Sequence, residues 1–376
     1  MEPIDNRTSA GGAAASAKVG KEENGVMVFR PPKSDSPVLT LVALALWLGP
    51  IQFNLFLALA SVFFFQKRAA ALSVASSLSW LVLSILSTAT CMFGDTLICR
   101  VLGTQLFFMF VHLSDNNTWG RKIGRFIWKH AVGYFPITLH VEDYTAFDPR
   151  RAYVFGYEPH SVVPLGMWAL SDRAGLMPMP KMQILASSAA FYVPFQRQIW
   201  TWLGVVPVTR ENFCSYLRAG YSCTLVPGGL REMLYMDHDN ESEARLPLIN
   251  SPVAFIKSRK GFVRIALQTG TPLVPVFCFG QDHAYNWWRP GHKLFIKIAQ
   301  AMKAPPVLHW GKFGTPIPFR SPIHVFVGRP IEVKQNDQPT VDEINEVHDQ
   351  FVIALQELHD KHKNKAGYAR LHLRLI

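Results

Sequence analysis

Two long apolar runs near the N-terminus and four short ones further along organise this chain. The first, "VLTLVALALWLGPIQFNLFLALASVFFF", spans Val38 to Phe65 without a charged residue. A helix of that length, rising about 1.5 Å per residue, crosses a hydrocarbon core of about 30 Å. It is apolar on every side rather than along one stripe, which argues against a helix half-buried in a soluble core. Gly49-Pro50 predicts a kink, which a membrane helix tolerates where neighbours satisfy the freed backbone groups. Lys67-Arg68 interrupts the pattern, and a second run, Ala69 to Phe93, carries the small residues and serines that suit close helix packing. Together the two runs predict a transmembrane helical hairpin over 38–93. Residues 1–37 are rich in Gly, Ala, Ser, Lys and Glu, show no hydrophobic periodicity, and read as a disordered tail.

From residue 94 the pattern changes. Short apolar segments recur between Pro/Gly turns: "AYVFGY" (152–157), "CTLVPGG" (223–229), "PLVPVFCFG" (272–280) and "IHVFVGRPI" (323–331). They read as strands, with helices between them, and residues 94–376 as one α/β domain. The clearest internal helix spans about Pro252 to Thr269, with Gly270 as its C′ residue. Phe262, Ile265, Ala266 and Thr269 form its inward stripe, and Lys257, Lys260 and Arg264 share another face. A last helix opens on "TVDE", where Thr340 and Glu343 make a capping box. Val341, Ile344, Val347, Phe351, Leu355 and Leu358 give it an apolar face.

Composition fits a short membrane anchor joined to a globular part. Hydrophobic residues make up 49% of the chain and charged residues 17%, with mean hydropathy +0.12. The formal net charge of +11 calls for an anionic neighbour: nucleic acid, a lipid headgroup surface or a phosphorylated co-substrate. The hairpin and the lack of a stacking or basic-helix motif argue against nucleic acid. Five scattered cysteines without C-x-x-C spacing fit a reducing compartment and give no structural zinc site.

The segment "GYEPHS" places polar residues at the end of an apolar strand. Pro159 fixes its own φ and pushes Glu158 out of the helical region, so the piece is expected to be extended. Residues two apart then share a face, which puts Glu158 and His160 together and Ser161 opposite. The imidazole, not the hydroxyl, becomes the candidate reactive group. Ends of strands in α/β sheets are where ligand sites gather. Three further segments look related: "WLGVVPVTREN", "LVPGGLREM" with Gly228, Gly229 and Glu232, and "TPLVPVFCFG".

These blocks, in this order, resemble the acyltransferase blocks of the glycerolipid acyltransferases, and most closely the type-2 diacylglycerol acyltransferase family. "GYFP" (133–136), "EPHS" (158–161), "VPGGLREM" (226–233) and "RKGFVRIALQTGTPLVPVF" (259–277) carry the likeness, which runs from the hairpin to the last helix. "EPHS" is similar to the plant form; animal and fungal members have His-Pro-His-Gly there. The resemblance implies a glycerolipid-acyltransferase-like mixed sheet flanked by helices, preceded by the transmembrane hairpin. It implies transfer of a fatty acyl group from acyl-CoA, a co-substrate rather than a cofactor, to 1,2-diacylglycerol. It further implies the endoplasmic reticulum membrane, with the catalytic part facing the cytosol, and a place at the lipid droplet surface. The partners are acyl-CoA, diacylglycerol and the bilayer, with self-association into a homo-oligomer left open.

Carried over, the second His of the family's block corresponds to His160, which the resemblance makes the general base. The wider superfamily orients this His with an Asp five residues on, where this chain has Leu165. Glu158 is within reach, and Glu232 is the preferred orienter. Backbone N–H groups of Gly228 and Gly229 are candidate oxyanion donors, and Arg210, Lys257, Arg259, Lys260 and Arg264 candidate partners for the phosphates of acyl-CoA. Tyr134-Phe135-Pro136 is expected to shape the site or the fold rather than react, and His140, beside Glu142 and Asp143, to lie at the surface. Asp237-His238-Asp239 reads as a solvated loop, and the acceptor sequons at Asn6, Asn116 and Asn240 as unmodified. The C-terminal "LHLRLI" is similar to hydrophobic-basic retrieval signals of the family. The alternatives are an acyltransferase acting on monoacylglycerol or a long-chain alcohol, and a non-enzymatic lipid-droplet scaffold.

Overall fold

The computed structural model describes residues 21–23, 26–30, 36–66, 107–108, 111, 118–236, 253–288 and 307–376. The four apolar segments read as strands are strands. In chain order the strands are β1 (Lys21–Glu23), β2 (Val26–Phe29), β3 (Ile137–Val141), β4 (Val154–Glu158), β5 (Met182–Ala186), β6 (Val205–Pro207) and β7 (Ser222–Leu225). They continue as β8 (Val253–Ala254), β9 (Leu273–Phe279), β10 (Asn286–Trp288), β11 (Leu308–Trp310), β12 (Ile323–Val327) and β13 (Arg374–Leu375). Nine of them make one sheet in the order β1-β2-β3-β12-β9-β4-β7-β5-β6. β4 runs parallel to both neighbours, β7 and β9, whereas β12 is antiparallel to β9, so the sheet is mixed. Every residue of β4 and β9 is buried, as expected for central strands covered on both faces.

The helices are α1 (Pro37–Gln66), α2 (Thr118–Ala131), α3 (Gln196–Leu203), α4 (Arg210–Arg218), α5 (Gly261–Thr269) and α6 (Val341–His362). One apolar layer gathers α1 and α2 against Phe135, Tyr157 and Val325. The other gathers α4, α5 and α6 against Phe277 and Phe326. Phe135 of "GYFP" is core, edge-on to Trp47 of α1 at 6.4 Å, so this motif ties helix to sheet. The capping box of α6 is present, with the Glu343 N–H donating to Thr340 Oγ1 at 3.2 Å and the Thr340 N–H to Glu343 Oε2 at 2.7 Å.

Several expectations need correction. Residues 21–23 and 26–29, placed by the sequence in a disordered tail, form an edge hairpin whose β2 pairs with β3. Val26, Val28 and Phe29 bury there, in a run too short to show periodicity by itself. The helix read from Pro252 starts at Gly261, because Val253–Ala254 pairs with Arg374–Leu375 instead. Lys257 therefore lies before α5, whereas Lys260 is its N-cap, one turn from Arg264, whose N–H donates to the Lys260 carbonyl at 3.0 Å. The same pairing docks "LHLRLI": Leu371 is buried, and Ile376 bonds through its N–H to Ala254 and its carbonyl to the Lys257 N–H, both at 3.0 Å. Val341 is exposed rather than part of the α6 apolar face.

His140 is likewise buried, not superficial. It lies on β3, stacked on Phe326 of β12 at 4.3 Å, with Nε2 3.2 Å from His324 Nδ1. Strand pairing with β12, far along the chain, supplies the cover that local sequence could not show.

The first apolar run is a single helix assigned straight through Gly49-Pro50. Thr40, Ala43, Leu44, Trp47, Leu48 and Asn54 are buried, and Asn54 Nδ2 donates to Pro194 O at 2.8 Å. Side chains of α1 are described as far as Pro50, with Phe53 and Asn54 beyond it. Among the described residues no helix is long and apolar enough to cross a membrane. The second run (69–93), Asp237-His238-Asp239, Asn6, Asn116 and Asn240 lie outside the described residues.

Candidate active site

β4, β7 and β9 are mutually parallel neighbours at the centre of the sheet, and their C-terminal ends open onto the same edge. Glu158 ends β4 and His160 follows it. Gly228 and Gly229 follow β7 and lead into a 3-10 turn, Gly229–Leu234, that carries Glu232. The chain topology thus brings "EPHS" and "VPGGLREM" together, as expected for a site at the carboxyl edge of a parallel sheet.

The extended reading of "EPHS" holds only to Glu158, where the strand ends. The Glu158–Pro159 peptide is cis, and Ser161 takes φ 53°, the left-handed region, so strict alternation does not continue. Glu158 is fully buried, His160 is partly exposed, and Ser161 is buried with an Oγ that meets no partner.

The His160 ring is held by its own neighbour: Nδ1 lies 2.8 Å from the Ser161 carbonyl oxygen. A carbonyl only accepts, so Nδ1 carries the proton and the neutral ring presents a lone pair at Nε2. Burial holds the imidazole below its ordinary value, opposed by this hydrogen bond. The ring is therefore neutral near pH 7. Among the described residues no carboxylate orients it.

Glu232 does a different job from the one expected. Its Oε2 accepts the backbone N–H of His160 at 2.5 Å and its Oε1 that of Phe255 at 3.0 Å. It anchors the main chain at His160 and leaves the ring to Ser161. Glu158 accepts the Gly228 N–H at Oε1, 3.1 Å away, and shares a side-chain hydrogen bond with Glu232. Its Oε2 meets no donor, an arrangement that one proton between the two carboxyls resolves. Burial, then the Glu232 charge, push Glu158 well above the usual carboxylate range. Glu232 is raised by burial but drawn back by hydrogen bonds from Glu158, His160 and Phe255. Two backbone N–H donors on Glu232 against one on Glu158 favour the proton on Glu158 and the charge on Glu232, as two carboxyls sharing a dry site do.

Gly228 is required by this packing. A Cβ there would stand 1.7 Å from Glu232 Oε1. Its N–H is committed to Glu158, so of the two expected oxyanion donors only Gly229, at φ 56°, has an N–H without a described partner.

The five basic residues separate. Arg259 is half-buried beside the carboxyl pair, its guanidinium 5.3 Å from the Phe255 ring, and burial lowers its pKa while Glu232 and Glu158 raise it. Lys260 is tethered to Asn345 of α6 at 2.6 Å. Lys257 and Arg264 are exposed. Arg210 bonds Gln268 at 3.0 Å and lines an open groove of about 690 Å³ with Glu211, Arg218 and Asp337. The structure gathers His160, Glu158, Glu232, Gly228 and Arg259, and leaves the other four basic residues outside this cluster.

A sequence model of one protein family, described as "Diacylglycerol acyltransferase", matches residues 90–375. The chain belongs to the diacylglycerol acyltransferase family. It is 32% identical over 285 residues to "Diacylglycerol O-acyltransferase 2" of Dictyostelium discoideum, covering 70% of this chain and 82% of the relative. It is also 32% identical over 262 residues to "2-acylglycerol O-acyltransferase 1" of Bos taurus, covering 64% and 73%. Members of this diacylglycerol acyltransferase family thus bear names for both acceptors. Among solved structures, a 1-acyl-sn-glycerophosphate acyltransferase from Thermotoga maritima aligns with TM-score 0.33 and 13% identity, over 82% of this chain and 96% of that one.

Proposed function

We propose that this member of the family transfers a fatty acyl group from acyl-CoA to the free hydroxyl of 1,2-diacylglycerol, with His160 as general base. One observation carries the reading. The Nδ1 proton is committed to the Ser161 carbonyl at 2.8 Å, while Nε2 has no described partner. Nε2 takes the hydroxyl proton as the acceptor oxygen attacks the thioester carbonyl. The C–S bond breaks, and the proton passes from His160 to the departing CoA sulfur. No acyl-enzyme forms in this scheme. The buried, unpartnered Ser161 Oγ, whose own carbonyl holds the ring, supports that.

The Gly229 N–H is the proposed oxyanion donor. Arg210, Lys257 and Arg264 are proposed to meet the phosphates of acyl-CoA, with Arg259 kept to the carboxyl pair. The apolar runs over 38–93 are proposed as a hairpin in the endoplasmic reticulum membrane, with the 94–376 domain on the cytosolic side and access to lipid droplets.

The acceptor is the open choice, since relatives are named for diacylglycerol and for 2-acylglycerol. Membranes containing the full chain, given labelled acyl-CoA and separate diacylglycerol, monoacylglycerol and long-chain alcohol, decide it. The expected result is label in triacylglycerol from diacylglycerol. Label only with another acceptor moves the assignment to that acceptor, and no transfer to any of them supports the scaffold reading.

A further inference from the structure

The loop that carries His160 is held from a second side, by a residue that no sequence pattern singled out. Gln281 follows β9 after the left-handed Gly280, and it is 2% exposed. Its Oε1 accepts the Tyr157 hydroxyl at 2.6 Å and the Gly166 N–H at 3.4 Å, and its Nε2 donates to the Pro159 carbonyl at 2.6 Å. The partners fix the amide's orientation, because a carbonyl only accepts and an N–H only donates.

Two of these contacts are main-chain groups that bracket His160, and the third is Tyr157, on the strand that leads into the loop. Glu232 grips the His160 N–H from the β7 side. Gln281 grips the same loop from the β9 side. Buried polar groups left without partners are costly, so the Pro159 carbonyl and Gly166 N–H favour one loop position as long as the amide is there.

We propose that Gln281 is a positioning residue for acyl transfer, fixing the 159–166 loop so that His160 Nε2 meets the acceptor hydroxyl in one place. The proposal rests on the general-base reading of His160. The titratable groups about Gln281 include Tyr157 on β4, Cys278 on β9, Asp282 and His283 in its own turn, and Tyr368 beyond α6; those about His160 include Glu158, Glu232, Arg259 and Arg231.

The test uses the full chain in membranes, with kcat and KM for acyl-CoA and diacylglycerol measured across pH. Gln281→Met keeps the length and removes both amide groups. It is expected to lower kcat about 10- to 100-fold, as small misplacements of a reacting group do, with both KM values within about twofold. Its acid limb should move up towards the ordinary imidazole range, because a looser loop admits water to the ring. Gln281→Glu, when protonated, offers the same donor and acceptor. It should recover activity to within about threefold of the parent at low pH, and lose it on ionising as pH rises. A Gln281→Met enzyme with parental kcat and acid limb overturns the proposal, as does a loss confined to KM. Should that variant not accumulate, Gln281→Glu decides: a fall with rising pH absent from the parent supports the proposal, and a parental profile or inactivity throughout overturns it. His160→Ala, run beside them, separates the readings. Retained turnover there overturns the base itself, whereas an inactive His160→Ala with unaffected Gln281 variants overturns positioning alone.

Discussion

Glu232 accepts the backbone N–H of His160 at 2.5 Å, so a carboxylate fixes the base through its main chain rather than its ring. The same carboxylate receives Phe255 N–H at 3.0 Å and the proton of Glu158. Two N–H donors and one O–H converge on it, which is why a buried charge is sustained there.

Glu232→Gln should break this arrangement. The amide has one acceptor oxygen for two N–H groups, and its NH2 faces the other donor. Leaving a buried N–H unmatched costs about 1–3 kcal/mol. The expected outcome is a fall of at least about tenfold in kcat together with a lower thermal inactivation midpoint. An unchanged kcat would show that the His160 main chain needs no anchor.

Ser161 offers the opposite case. Its φ of 53° is unfavourable for any residue with a Cβ, and the resembling animal and fungal sequences place glycine there. Ser161→Gly should stabilise the protein by about 1 kcal/mol. It should also keep turnover, because the carbonyl that holds His160 Nδ1 belongs to the backbone. Loss of turnover in Ser161→Gly, with protein level intact, would return the hydroxyl to the mechanism.

Stability should fall with pH through the His140–His324 contact. His140 is held down to about 3 from 6.5, first by burial and then by the His324 charge, and His324 is lowered by burial too. Below 6.5 the unfolded chain binds a proton that the folded His140 refuses, so stability is greatest above that pH and declines as pH falls towards about 3. His140→Phe keeps the stack on Phe326 and removes the titration. Thermal inactivation midpoints of parent and variant, followed across this range, should show the shallower decline in the variant.

How much of this could be read from the chain differs by element. The central strands were legible because β4 and β9 are buried on both faces and appear as continuous apolar runs between turns. The α6 cap was legible because its chemistry is local, Thr340 to Glu343. What failed was non-local. The start of α5 depended on residues 374–375 arriving beside Val253–Ala254, and the burial of His140 on a strand whose His324 is 184 positions away. At the site, the sequence brought out His160, Glu158, Glu232 and the two glycines. It could not assign Glu232 to the backbone, because that followed from a left-handed Ser161 turning its own carbonyl onto the ring. Gln281 left one signal, its place just past the end of a buried strand neighbouring β4.

The central claim is that His160 Nε2 takes the acceptor proton. The most direct measurement compares the parent and His160→Ala at equal protein level in membranes, with labelled acyl-CoA and diacylglycerol, and follows kcat/KM of the parent against pH. Burial lowers the His160 pKa from 6.5, so parental kcat/KM should rise with pH along an acid limb below that value and level off above it. His160→Ala should form no triacylglycerol above background at any pH. Turnover in His160→Ala, or a parental profile without an acid limb in that range, would contradict the account.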